Sequence, residues 1–139
     1  MILFFNFFFK KIFLFFKRLF ELGINSGEVW NNLGLYAFYS NQFDFSLFCF
    51  ERGLILADEE VASDICYNIS HVAICIGLLS LAYQALKICL DFSRENFETF
   101  NNIGVLEIKR GNKEQAKSNF LKTVILMISL LNLIIIMLS

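Results

Sequence analysis

In this 139-residue chain, His71 and Cys75 are the pair best spaced for covalent chemistry. Four apart on a helix they share a face, so the imidazole could take the thiol proton and leave a nucleophilic thiolate. Hydrolysis by such a pair also needs an acid to orient the imidazole and backbone N–H groups to hold an oxyanion. No acid is placed for His71 and no glycine-rich turn lies nearby. A thiol hydrolase would lose its activity in Cys75→Ala, and none is expected: the chain reads as non-enzymatic. Cys49, Cys66 and Cys89 fall at packing positions of different helices and no Cys-x-x-Cys occurs, so neither a metal site nor a catalytic centre is expected. No phosphate-binding glycine loop is present either, and no cofactor is expected. Residues 1–9 carry no lysine or arginine before the apolar run, and no small-residue cleavage site follows. The thiols are therefore expected to be reduced, in the cytosol.

Binding chemistry is better represented. Asn32, Asn68 and Asn102 recur at intervals of 36 and 34 residues, each followed by an aliphatic and a small residue: Leu33-Gly34, Ile69-Ser70, Ile103-Gly104. Three amides at one repeat position could hydrogen-bond an extended peptide's backbone, or could bond within their own helix pairs. If the repeats stack, the first helix of each lines a concave surface. Helical spacing puts Glu28, Asn31, Asn32, Leu35 and Phe38 there from the first repeat. Asp64, Tyr67, Asn68, His71 and Ile74 come from the second, and Glu98, Asn101, Asn102 and Val105 from the third. This set is acidic and aromatic and lacks the Lys and Arg pairs that would clamp a carboxylate, so a protein surface or helix is the expected ligand. A net charge of −1 leaves no basic footprint for nucleic acid as the main partner.

The elements that position these residues are antiparallel helix pairs. Each first helix carries a bulky opener (Trp30, Cys66, Phe100) and a small contact residue one turn on (Gly34, Ser70, Gly104). Each second helix answers with a small residue (Ser46, Ala82, Ala116) and then a large one (Phe50, Leu86, Phe120). Large meeting small is what ridges-into-grooves packing requires. Helices are predicted over 27–40 and 43–56, 63–76 and 79–91, and 97–110 and 113–124. Asp58-Glu59-Glu60 reads as a solvated loop that lengthens the first interval, and Asn112 with Gln115 as a capping box. The fold class is thus all-α, an α-solenoid of three helix pairs with an apolar extension at each end. The repeats fall at about 27–60, 63–96 and 97–124 within a domain 17–124.

The ends differ in texture from this middle. With 57% hydrophobic residues and 18 Phe, the chain either buries much of its surface or meets lipid. The leader, 1–16, is too short to span a bilayer; three readings stay open, an interfacial segment with Lys10 and Lys11 snorkelling, a packed helix, or translated noncoding sequence. The tail, 125–139, has no polar face where a solenoid normally ends in a polar cap. It could be a short membrane anchor, an all-buried helix folding back, or an extension of the leader's kind.

The 34-residue pattern of small and large positions resembles the tetratricopeptide repeat family. Further strings are more specific: Asn31-Asn32-Leu33-Gly34-Leu35, Phe48-Cys49-Phe50-Glu51-Arg52-Gly53-Leu54, Tyr67-Asn68-Ile69-Ser70-His71-Val72-Ala73, and the run from Asn101 to Gly111. With Glu107 where an aromatic is common and His71 after the small residue, they resemble the Bardet-Biedl syndrome branch of that family, the repeat subunits of the BBSome. The resemblance implies a scaffold in a ciliary coat complex that carries membrane-protein cargo with an Arf-like GTPase. Its partners would be other subunits of that coat, and its place the cytoplasm, at the cilium or basal body. That branch's proteins are several times longer, so the chain would be a fragment, and neither apolar end matches it. The rival expectation is a membrane-anchored repeat adaptor facing the cytosol, held by its tail.

Overall fold

Among the described residues, seven helices follow one another: α1 (Ile2–Glu21), α2 (Gly27–Tyr39), α3 (Phe43–Leu56), α4 (Glu59–Cys75), α5 (Leu79–Phe92), α6 (Phe97–Lys109) and α7 (Lys113–Leu138). The computed structural model describes the backbone of residues 2–139 and the side chains of residues 7–139, so the leader's first six side chains lie outside the described residues. No strand occurs among the described residues. α2 pairs with α3, α4 with α5 and α6 with α7, each across a turn of a few residues. The α4–α5 and α6–α7 turns pass through left-handed Gly77 and Gly111 (φ 80° and 82°), a conformation that costs glycine nothing.

Within each pair the anticipated nesting of large on small is present. A Cβ on Gly34 would lie 2.5 Å from the Phe50 ring, and one on Gly104 2.6 Å from Phe120. Ser46 Oγ donates to the Gly34 carbonyl at 2.7 Å, fixing the same crossing with a buried hydrogen bond. Between pairs, Phe50, Ile65 and Val72 form one cluster, and Ala73, Ala82, Leu86, Ile103 and Leu106 another. The core is therefore continuous along the stack.

Four boundaries differ from the sequence expectation. Asp58-Glu59-Glu60 is not a loop: Asp58 is the N-cap of α4, its carboxylate accepting from Val61 N–H at 3.0 Å. Two acids in the first turn favour the helix dipole, so the extra residues extend α4 to 17 residues, against 13 in α2 and α6. Asn112 caps nothing with its side chain, which donates to Glu107 Oε2 at 2.7 Å instead. Residues 2–21 make one helix with no break at 16. Nor does the tail break off or fold back: α7 runs on for 26 residues, because no Gly or Pro interrupts it, and its second half is exposed.

Thr99 of α6 is fully buried, and its hydroxyl finds no hydrogen-bond partner among the described residues. One repeat earlier the same position is Ile65, also fully buried. Thr99→Val removes the unsatisfied hydroxyl while keeping the shape, and should raise unfolding stability by about 1 kcal/mol. A urea midpoint unchanged or lowered would contradict this.

Candidate protein-binding face

The first helices α2, α4 and α6 carry every candidate residue, and their amides run between repeats. Asn68 Nδ2 donates to Asn31 Oδ1 at 2.9 Å, linking α4 to α2. One repeat on, Asn102 Nδ2 stands 3.3 Å from His71 Nε2, linking α6 to α4. This corrects the reading in which the asparagines bond inside their own pairs. Asn32 has no helix of this kind before it and stays exposed, as do Asp64, Glu98 and Asn101. Asn101 Nδ2 donates to Asn102 Oδ1 at a long 3.4 Å. Leu35 and Phe38 pack against the Phe50–Ile65–Val72 cluster, so they serve the core as much as any groove.

Around His71 the face is preorganised. The Tyr67 ring meets the imidazole edge-on at 4.7 Å. Burial pushes the Tyr67 hydroxyl's pKa up, a hydrogen bond with Asn102 drawing it partly back. With the Asn102 amide as donor, His71 accepts at Nε2 as the neutral imidazole. Burial holds its pKa below the usual 6.5, the Glu98 carboxylate pulling the other way. His71 is the chain's single histidine.

Linkage then has a definite sign. The unfolded chain protonates His71 near 6.5 and the folded one only at lower pH, so the unfolded state binds more protons in between. Stability is full above the unfolded value and is lost as pH falls through it toward the folded one. The Tm should therefore drop as pH falls below about 6.5. His71→Gln, which keeps an acceptor for Asn102, should flatten that slope; an equal slope in the variant would contradict the assignment.

Cys75 is exposed at the end of α4, whereas His71 is engaged with Asn102 and Tyr67. Burial pushes the Cys49 and Cys89 thiols up to about 12, far from a thiolate at neutral pH. Cys89 Sγ donates to the Ser63 carbonyl at 3.3 Å, a packing role.

Two features escaped the sequence reading. Buried Glu107 accepts from Asn112 and lies 3.9 Å from Arg110, whose guanidinium stacks 4.6 Å from the Tyr83 ring of α5. Only its departure from the repeat pattern, an acid where an aromatic is common, marked the position. On the other flank Phe13, Phe16 and Phe20 of α1 line an open apolar groove of about 650 Å³ with Trp30, Phe45 and Phe48. The spacing of the three α1 phenylalanines over two helical turns was the available signal.

Helix pairs nested by small and large residues, stacked with a continuous core and joined by asparagine hydrogen bonds, define a tetratricopeptide repeat array, a protein-interaction scaffold. Within that class the chain is similar to tetratricopeptide repeat protein 8. The Caenorhabditis elegans protein of that name is 31% identical over 104 residues, 75% of this chain and 21% of the worm protein. The Homo sapiens protein is 45% identical over 68 residues, 48% of this chain and 13% of the human one. The chain thus spans a small part of the curated relatives it matches. No family model matches it. The solved structure of MamA superposes with a TM-score of 0.73 at 16% identity, covering 84% of this chain and 77% of that one, a likeness of fold alone.

Proposed function

We propose that the chain is a non-enzymatic scaffold segment of a BBSome-type coat complex, acting in ciliary membrane-protein trafficking and cilium assembly. The observation that carries the reading is the similarity to tetratricopeptide repeat protein 8 across 75% of the chain. The geometry supports it: side-chain hydrogen bonds tie α2, α4 and α6 into one face, whose exposed members Asn32, Asp64, Glu98 and Asn101 are polar or acidic, with Val105 the apolar exception. Such a face suits a basic or polar protein surface. Two buried thiols held far from ionisation and a histidine committed to Asn102 support a role without catalysis. The place of action is the cytoplasm, at the cilium or basal body.

The test is affinity purification of the tagged full chain from ciliated cells. Other subunits of the coat should co-purify, and Asp64→Arg with Glu98→Arg should abolish their recovery while leaving the helical spectrum intact. Recovery of no coat subunit, or equal recovery with the double variant, would overturn the reading.

A further inference from the structure

The second half of α7 has no counterpart in the scaffold's work. α7 is long and apolar enough to cross a membrane, and only 6% of its most apolar 18-residue window is buried. That low burial sets it apart from a core helix, and its place beyond Lys113 from a signal sequence. Its apolar surface also has no preferred side: the consecutive Leu133, Ile134, Ile135 and Ile136 are all exposed, and at about 100° per residue they go right round the helix. A groove on a protein would need one apolar stripe, whereas a surface apolar all round suits an isotropic solvent of hydrocarbon. Ser129 Oγ donates back to the Ile125 carbonyl at 3.0 Å, so this hydroxyl needs no water.

Charge supplies the second observation. The chain carries a net charge of −1, yet Lys109, Lys113, Lys117 and Lys122 crowd the approach to this segment with Glu114 the one acid among them. None of the four lysines is in an ion pair among the described residues. Cations beside a span keep to the cytosolic side and attract anionic headgroups.

We propose that α7 anchors the repeats to an anionic bilayer. Val124 to Leu138 enters along its axis, and Lys113 and Lys117 rest among the headgroups, with Lys122, over the Phe100 ring of α6, at the boundary. The free apolar stretch is about 22 Å long at 1.5 Å per residue, short of the about 30 Å of a hydrocarbon core by a margin that local thinning of the bilayer takes up. The repeats then stand on the cytosolic leaflet with their own faces free.

The test is flotation of the full chain with vesicles of phosphatidylcholine alone and of phosphatidylcholine with phosphatidylserine. The chain should float and resist alkaline carbonate. Leu131→Lys with Ile135→Lys, both at exposed positions, should cut flotation about tenfold or more with the helical spectrum kept. Lys113→Glu with Lys117→Glu should remove the preference for phosphatidylserine. Failure of the wild type to float, sedimentation as a self-associated species, flotation of Leu131→Lys with Ile135→Lys at the wild-type level, or equal capture by both vesicles would each overturn the proposal.

Discussion

Phe50→Ala is expected to lower unfolding stability by about 3–5 kcal/mol, the range for emptying a fully buried aromatic site. Phe50 is 0% exposed and belongs to two contacts at once. Its ring fills the space left by Gly34 inside the first pair, and its cluster with Ile65 and Val72 joins that pair to the second. Neither neighbour can collapse into the void without breaking the other contact. Against about 5–15 kcal/mol for a whole domain, the loss should leave the first pair detached from the stack at physiological temperature. Urea denaturation followed by circular dichroism measures it, and a loss below about 1 kcal/mol would mean that the pairs are held by something else. Phe120→Ala should cost less, since Phe120 is only half-buried.

Filling the same space from the other side should be nearly as damaging. Gly34→Val is expected to cost about 2–3 kcal/mol, through overpacking and a β-branched side chain in mid-helix. The first added carbon already meets the Phe50 ring at 2.5 Å, and that ring is enclosed on every side. Phe50→Leu in the same chain should recover about 1 kcal/mol or more, a non-additivity that only direct contact produces. Gly104→Val should be milder, because half-buried Phe120 can swing outward. A Gly34→Val chain as stable as the parent, or additive double-variant effects, would remove the nesting argument.

Both predictions concern contacts that could be read from the chain. Gly34 and Phe50 lie within one helix pair, and a short turn allows such neighbours few ways to pack; a small residue opposite a large one therefore announces itself through spacing. The turns at Gly77 and Gly111 are local in the same sense, since each rests on a left-handed backbone that glycine adopts freely. Asp58 was misread for a different reason. Its acidity suits a solvated loop and an N-cap equally, and only the hydrogen bond from Val61 N–H distinguishes them.

The order of the helices, their pairing and the large-on-small register were determined by the sequence itself, because each rests on interactions between residues near in the chain. Tertiary structure decided where the amides go. Asn68 reaches Asn31, and Asn102 reaches His71, only because successive pairs stack with a particular offset, which no local pattern encodes. It decided likewise that Leu35 and Phe38 turn toward the core and that the second half of α7 leaves the repeats uncovered. A side chain's type sets what it can bond; its partner is set by distances between helices, and those come from the packing of the whole stack.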